Sequence, residues 1–182
     1  DHDIAYEYSY VLMIGTADEI RERAKALRPA DTLPDFRFDA DRRHWTYHDL
    51  ADEGASHPRG LVLRATGADP QALSPEQWYP ASEAPRLFVT AANLTAKPVR
   101  ATLFWRAPGE SFAGERSVAF EIPPTPDADA PAPVAVDLAP HPAYRGAVAA
   151  LRLDLDPDPA APRDAPFVRL EALSAKAPTL GR

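Results

Sequence analysis

Residues 147–159 read AVAALRLDLDPDP, and Leu151, Leu153 and Leu155 alternate with Arg152, Asp154 and Asp156. A period of two sends the leucines to one face of an extended chain and the charges to the other, which predicts a half-buried strand. The Asp-Pro pairs that follow remove backbone donors and stop the ladder. The same alternation recurs along most of the chain. It places Leu87, Val89 and Ala91 on one face of 86–92, and Val99, Ala101, Leu103 and Trp105 on one face of 99–106. It marks further strands at Val118, Phe120 and Ile122, at Val134, Val136 and Leu138, and at Val168, Leu170 and Ala172. Nearer the start, 44–49 sets Trp45, Tyr47 and Asp49 against His44, Thr46 and His48, and Gly60 opens a strand over 61–66. Ile4, Tyr6, Tyr8, Tyr10 and Leu12 predict an aromatic strand over 4–13, with a packed face or a sugar-stacking stripe as its two readings.

The breaks are equally marked. Asp52-Glu53-Gly54, Gly67-Ala68-Asp69-Pro70 and Pro108-Gly109 are turn chemistry. Residues 31–41, carrying Phe36 and Phe38, are expected to be a loop; so are 70–85, with Pro70, Pro75, Pro80 and Pro85, and 123–133, expected to be mobile. Thr16-Ala17-Asp18-Glu19 is a capping box that starts one helix, with Ile20, Ala24 and Leu27 as its apolar stripe and Pro29 as its end.

About nine short strands and one early helix predict an all-β chain, an antiparallel β-sandwich with one short N-terminal helix. Leu151, Leu153, Val168 and Leu170 are expected in its core, with Arg152 and Arg169 facing outward. Composition agrees. At 182 residues with 45% hydrophobic and 26% charged positions the chain supports a core, and 21 prolines argue against a helical bundle. A net charge of −7 disfavours nucleic acid and anionic membranes as partners. The absence of cysteine excludes disulfides and thiolate metal sites. No run of about 18 apolar residues is present, so no membrane insertion is expected. The opening Asp1-His2-Asp3 has neither methionine nor a signal-peptide pattern and reads as a mature or excised fragment.

Catalytic motifs are missing: there is no G-x-S-x-G, no P-loop and no G-x-G-x-x-G. His44 and His48 lie four apart in a strand context without a third ligand. Asn93-Leu94-Thr95 fits a glycosylation sequon and is taken as chance in a chain of bacterial-looking composition. Asp154, Asp156 and Asp158, spaced by two, share one face of an extended chain and are candidate ligands for a hard cation such as calcium. The twelfth position of an EF-hand counted from Asp154 is Ala165, so that pattern fails, and solvated acids ending a strand are the other reading. For ligand binding the candidates are Trp78 and Tyr79 in the proline-stiffened loop, with Gln77 and Glu83 as hydrogen-bonding partners. The rival reading has Trp78 plugging the end of the sandwich. Trp45 and Trp105, on strands, are assigned to the core.

The run from Trp45 to Leu173 resembles non-catalytic β-sandwich modules of the galactose-binding-like, carbohydrate-binding type. The resemblance rests on residues 61–70 (LVLRATGADP), Ala101-Thr102-Leu103-Phe104-Trp105 before a glycine-containing turn, Tyr144-Arg145-Gly146, Leu151-Arg152-Leu153-Asp154, and the closing strand 167–173. The chain departs from that pattern where the Asp-Pro after Leu-Arg-Leu is stretched to Asp154-Leu155-Asp156-Pro157, and where Pro162 and Arg163 replace a turn glycine. The resemblance implies a jelly-roll sandwich over 44–174, with 1–43 as an N-terminal strand, helix and linker and 175–182 as a tail. It further implies an accessory module of a larger or exported bacterial protein, an oligo- or polysaccharide partner, no cofactor other than the structural calcium that such modules often carry, an extracellular or periplasmic setting, and no enzymatic activity. The alternatives are a structural domain packed on a partner domain and, third, a glycan-active enzyme; a shared fold does not choose between them.

Overall fold

The alternating runs pair as antiparallel strands because each has one apolar face that a second sheet can cover. The computed structural model describes residues 10–20, 23, 33–53, 59–158, 160 and 165–177. The chain clusters into two compact units, Asp1–Thr32 and Leu33–Arg182. In chain order the strands of the second unit are β1 (Asp35–Arg37), β2 (Thr46–His48), β3 (Leu50–Asp52), β4 (Leu61–Ala65), β5 (Gln71–Leu73), β6 (Tyr79–Pro80), β7 (Arg86–Asn93), β8 (Val99–Arg106), β9 (Ser117–Ile122), β10 (Pro133–Asp137), β11 (Ala147–Val148), β12 (Ala150–Asp156) and β13 (Pro166–Ser174). One six-stranded sheet runs β10-β7-β13-β4-β3, with β1 pairing the C-terminal half of β13. A five-stranded sheet runs β2-β5-β12-β8-β9, and β6 with β11 makes a short third ladder.

The core lies between the two large sheets. Leu151, Leu153 and Leu155 of β12 and Leu103 and Trp105 of β8 join Leu63, Leu87, Val89, Val168 and Leu170 in one buried cluster. Each buried leucine contributes about 1.5–3 kcal/mol relative to exposure. This is the sandwich the alternation predicts, with Leu151, Leu153, Val168 and Leu170 inside.

Two connections switch sheets at one corner, β2 to β3 and β4 to β5, and Asp49 laces them together. Its carbonyl accepts the Thr66 and Gly67 amides at 2.8 and 3.3 Å, and its carboxylate accepts the Asp69 amide at 3.1 Å. A Cβ on Gly67 would lie 2.1 Å from the Asp49 carboxylate carbon, so a larger residue there would displace the carboxylate that holds the Asp69 amide. Asp49 itself takes φ +48, and Arg43 and His44 take φ +50 and +64. These left-handed residues shorten the strand expected over 44–49 to Thr46–His48. Beside the corner Arg42 donates two hydrogen bonds, 2.6 and 2.7 Å, to the fully buried Asp52 carboxylate, which also accepts the Tyr47 hydroxyl at 2.9 Å. Burial first, then the Asp52 charge, pushes the Tyr47 phenol well above its ordinary value.

Several loop expectations are corrected. Phe36 lies on a strand, β1, because that segment finds the free side of β13 beyond β4, and Phe36 and Phe38 meet Trp45 edge-on at 5.1 and 5.6 Å. The proline-rich stretch 70–85 contains β5, β6 and a 3-10 turn, Ala81–Glu83. The 123–133 segment is tied to the six-stranded sheet: Arg169 donates to the Ala128 carbonyl, Arg59 pairs with Asp129 at 3.0 Å, and the Asn93 amide donates to Thr125 Oγ1 at 2.9 Å. Arg169 therefore points outward in register, opposite Val62 and Ala92, yet is only 5% exposed because this segment covers it. Asn93 of the sequon is buried, its side-chain nitrogen donating to the Lys97 and Ile122 carbonyls.

In the first unit residues 17–20 and 23 are helical. The capping box forms, Thr16 N–H donating to Glu19 Oε2 at 2.8 Å and Glu19 N–H to Thr16 Oγ1 at 3.4 Å. Ala24 and Leu27 of the expected stripe lie outside the described residues. Of the strand expected over 4–13, residues 4–9 lie outside them too, and 10–13 are not in a strand.

Candidate ligand-binding face

The outer faces of the two sheets differ. On the six-stranded sheet Val62, Ala92 and Arg169 point outward and are buried, and the 123–133 segment reaches Arg169 through the Ala128 carbonyl. On the five-stranded sheet the register aligns outward residues into rows across the strands, since directly opposed residues of an antiparallel pair share a face. One row is Thr46, Leu73, Arg152, Phe104 and Ser117. The next is His48, Gln71, Asp154, Thr102 and Ala119. The third is Asp156, Arg100 and Glu121.

The first row carries an aromatic and cationic ridge. The Arg152 guanidinium lies over the Phe104 ring at 4.0 Å from its centroid and 5.3 Å from that of Phe112. Phe112 comes from the β8–β9 turn, where the Glu110 amide bonds the Ala107 carbonyl at 3.1 Å and Arg116 pairs with Glu110. Arg106 approaches the same ring at 5.7 Å and pairs with Glu76 at 2.7 Å. Arg152 also donates to Asp154 Oδ2 at 2.9 Å, both side chains being less than one-fifth exposed. Burial raises the Asp154 carboxyl above its ordinary value and the Arg152 charge opposes that rise. Gln71 Nε2 donates to Asp69 Oδ2 at 2.5 Å. The result is a set of planar side chains held in place by one another, with Arg152 Nε and Asp154 Oδ1 buried.

Residues 74–80 run antiparallel beside β11 and the start of β12. The Ser74 amide bonds the Leu151 carbonyl at 2.9 Å, the Gln77 amide bonds the Ala149 carbonyl at 2.6 Å, and β6 pairs with β11. Extended pairing forces successive side chains to opposite sides. Trp78 is accordingly 55% exposed, whereas Tyr79 is 1% exposed. The expected aromatic pair on one surface is therefore split. Tyr79 belongs to the core beside Tyr144, where burial pushes its phenol well up. Glu76, two residues before Trp78, shares its side and reaches Arg106. Gln77 is half-buried, and Glu83 is exposed at the end of the 3-10 turn.

The three aspartates are likewise separated by their partners. Asp154 engages Arg152; Asp158 pairs with Lys97 at 2.7 Å and accepts the Ala160 amide at 3.0 Å; Asp156 is exposed opposite Arg100. Among the described residues no three His, Cys, Asp or Glu side chains gather as a metal site requires. Trp105 is core, edge-on to His141 and Tyr144 at 4.9 and 5.0 Å. Trp45 is also buried.

Phe104, Arg152, Thr102, Gln71 and His48 were not singled out in the sequence as binding residues. One signal for them is present in RATLFWR: the period that buries Leu103 and Trp105 turns Phe104, a large aromatic, to the solvent side.

No protein-family model matches the chain, and no curated protein matches it. Among solved structures the chain is similar to a Paenibacillus sp. cycloisomaltooligosaccharide glucanotransferase crystallised with cycloisomaltoheptaose, at 12% sequence identity and a TM-score of 0.42. The match covers 78% of this chain and 18% of that one, so the chain spans less than one-fifth of its length.

Proposed function

We propose that the chain is a non-catalytic carbohydrate-binding module whose ligand surface is the outer face of the five-stranded sheet. The observation that carries this reading is the aromatic and guanidinium ridge, Phe104 beneath Arg152, beside a row of hydrogen-bonding side chains on the sheet face that the 123–133 segment leaves uncovered. Sugar rings present apolar C–H faces to an aromatic and hydroxyls to planar amides, carboxylates and guanidinium groups. Exposed Trp78, on the same side as Glu76, adds a second aromatic at the rim.

A glycan array and affinity electrophoresis, each with added calcium and with chelator, test the reading. Wild-type chain is expected to be retarded by at least one neutral polysaccharide. Trp78→Ala is expected to weaken that retardation while changing stability by less than about 0.5 kcal/mol, as exposed sites do. Absence of binding to every glycan, or loss of binding only through unfolding, would sink it.

A further inference from the structure

The outermost strands of a sheet carry backbone donors and acceptors on their free side, and such an open ladder invites another strand to pair. Most edges of this protein are short or blunted. β1, β2 and β3 have three residues each; β2 lies between the left-handed His44 and Asp49, and β3 carries the buried charge of Asp52. β10 starts at Pro133, which has no N–H to offer. β9 differs. Its six residues, SVAFEI, hold no proline, lysine or arginine, and it runs against β8 without a bulge. The Trp105 amide donates to the Arg116 carbonyl at 3.1 Å, which sets the phase of that ladder. Antiparallel pairs alternate, so Val118, Phe120 and Ile122 turn their backbone groups toward β8, and Ser117, Ala119 and Glu121 turn theirs to the free side. Among the described residues no strand and no backbone hydrogen bond meets that side.

We propose that β9 is the seam of a homodimer, in which β9 of a second copy pairs with it antiparallel about Ala119 and joins the two five-stranded sheets into one. The sequence of β9 is self-complementary in that register. Centred on Ala119, the pairing engages the outward backbone groups of Ser117, Ala119 and Glu121 in each copy. On the inner face it sets Val118 against Phe120 of the second copy; both are only half-buried in the single chain, packed against the core. On the outer face Ala119 meets its own counterpart without crowding, and Glu121 meets Ser117. Each Glu121 then stands between Ser117 of the second copy and Arg100, which is directly opposite it on β8. Any other centre leaves part of the ladder unpaired, and one on Glu121 opposes two carboxylates. A seam of six residues buries little area, which places it among weak, concentration-dependent contacts. Directly opposed residues share a face, so the outer faces of the two copies lie side by side on the joined sheet. The seam stands or falls independently of what that face binds.

Sedimentation velocity of the whole chain over about 1 to 500 μM tests this, and wild type is expected to shift from monomer toward dimer across that range. Ala119→Pro removes an outward N–H that the β8–β9 ladder does not use, and Ala119→Lys sets two like charges against each other at the centre of the seam. Each is expected to weaken association by about tenfold or more. Ala119 is exposed in the single chain, so Ala119→Lys should leave the melting temperature unchanged. The chain has no cysteine, which makes single-cysteine crosslinking specific. Under mild oxidation Ala119→Cys is expected to give a covalent dimer, since the paired Cα atoms would lie about 5.5 Å apart. Glu121→Cys should not, because its counterpart would lie about 14 Å away along the strands. A chain that stays monomeric throughout, association that survives Ala119→Lys, or Glu121→Cys crosslinking as readily as Ala119→Cys would overturn the seam.

Discussion

The clearest lesson at the scale of single residues is Trp78 beside Tyr79. Adjacent in sequence and similar in chemistry, they end on opposite sides because the segment pairs with β11 and the chain alternates. Proline spacing around them reads as a loop, yet Pro75 and Pro80 sit where the ladder tolerates a missing donor, and pairing continues through Ser74 and Gln77. A second case is the Arg42–Asp52–Tyr47 cluster. Asp52 is fully buried and Arg42 is half-exposed, so removing the two partners has unequal effects. Arg42→Ala strips a buried carboxylate of its guanidinium and is expected to destabilise by about 3–5 kcal/mol. Asp52→Asn keeps the shape and lets Arg42 turn to water, at about 1–3 kcal/mol. Urea unfolding of both variants checks the order; equal losses would show that the ion pair is not what stabilises the corner.

Elements acquire their roles from what they pack on. The 123–133 segment is rich in proline, alanine and aspartate, a composition that by itself suggests mobility. Arg169 and Arg59 anchor it instead, and it covers Arg169 on the outer face of the six-stranded sheet. Arg169→Ala removes a buried donor from the Ala128 carbonyl and from Glu171. It is expected to cost about 1–3 kcal/mol and to open 123–133 to limited proteolysis, read by mass spectrometry of the first cleavage. If cleavage stays as slow as in wild type, the anchor is elsewhere. The β8–β9 turn has the complementary role, setting Phe112 beside the Arg152 guanidinium on the other sheet.

At the scale of the whole molecule stability resides in the apolar layer between the sheets. Leu153 is fully buried at its centre, opposite Leu103 and next to Ala72. Leu153→Ala is expected to cost about 2–5 kcal/mol in equilibrium unfolding, while Trp78→Ala at the rim costs almost nothing. A loss below about 0.5 kcal/mol at Leu153 would place the core elsewhere. The 123–133 segment covers Arg169 on the outer face of one sheet, while Arg152 at the same parity on the other sheet stays on the candidate face.

What the sequence determined by itself was local and periodic. Alternation at Leu151, Leu153 and Leu155 and at Leu103 and Trp105 decides which face is apolar, because side-chain direction in an extended chain depends only on position parity. The capping box of Thr16 and Glu19 is set within four residues for the same kind of reason. Tertiary structure alone decided which outward residues meet. Phe104 and Arg152 are 48 positions apart, and only the β8–β12 register puts one over the other. Asp154, Asp156 and Asp158 look like one cluster in the chain, but Arg152 and Lys97 draw two of them to different partners. Arg169 carries the same outward parity as Arg152, and the segment folded over it makes one buried and leaves the other on the candidate face. Parity fixes a side of a strand; what covers that side depends on distant chain, and so it is settled only when the sheets assemble.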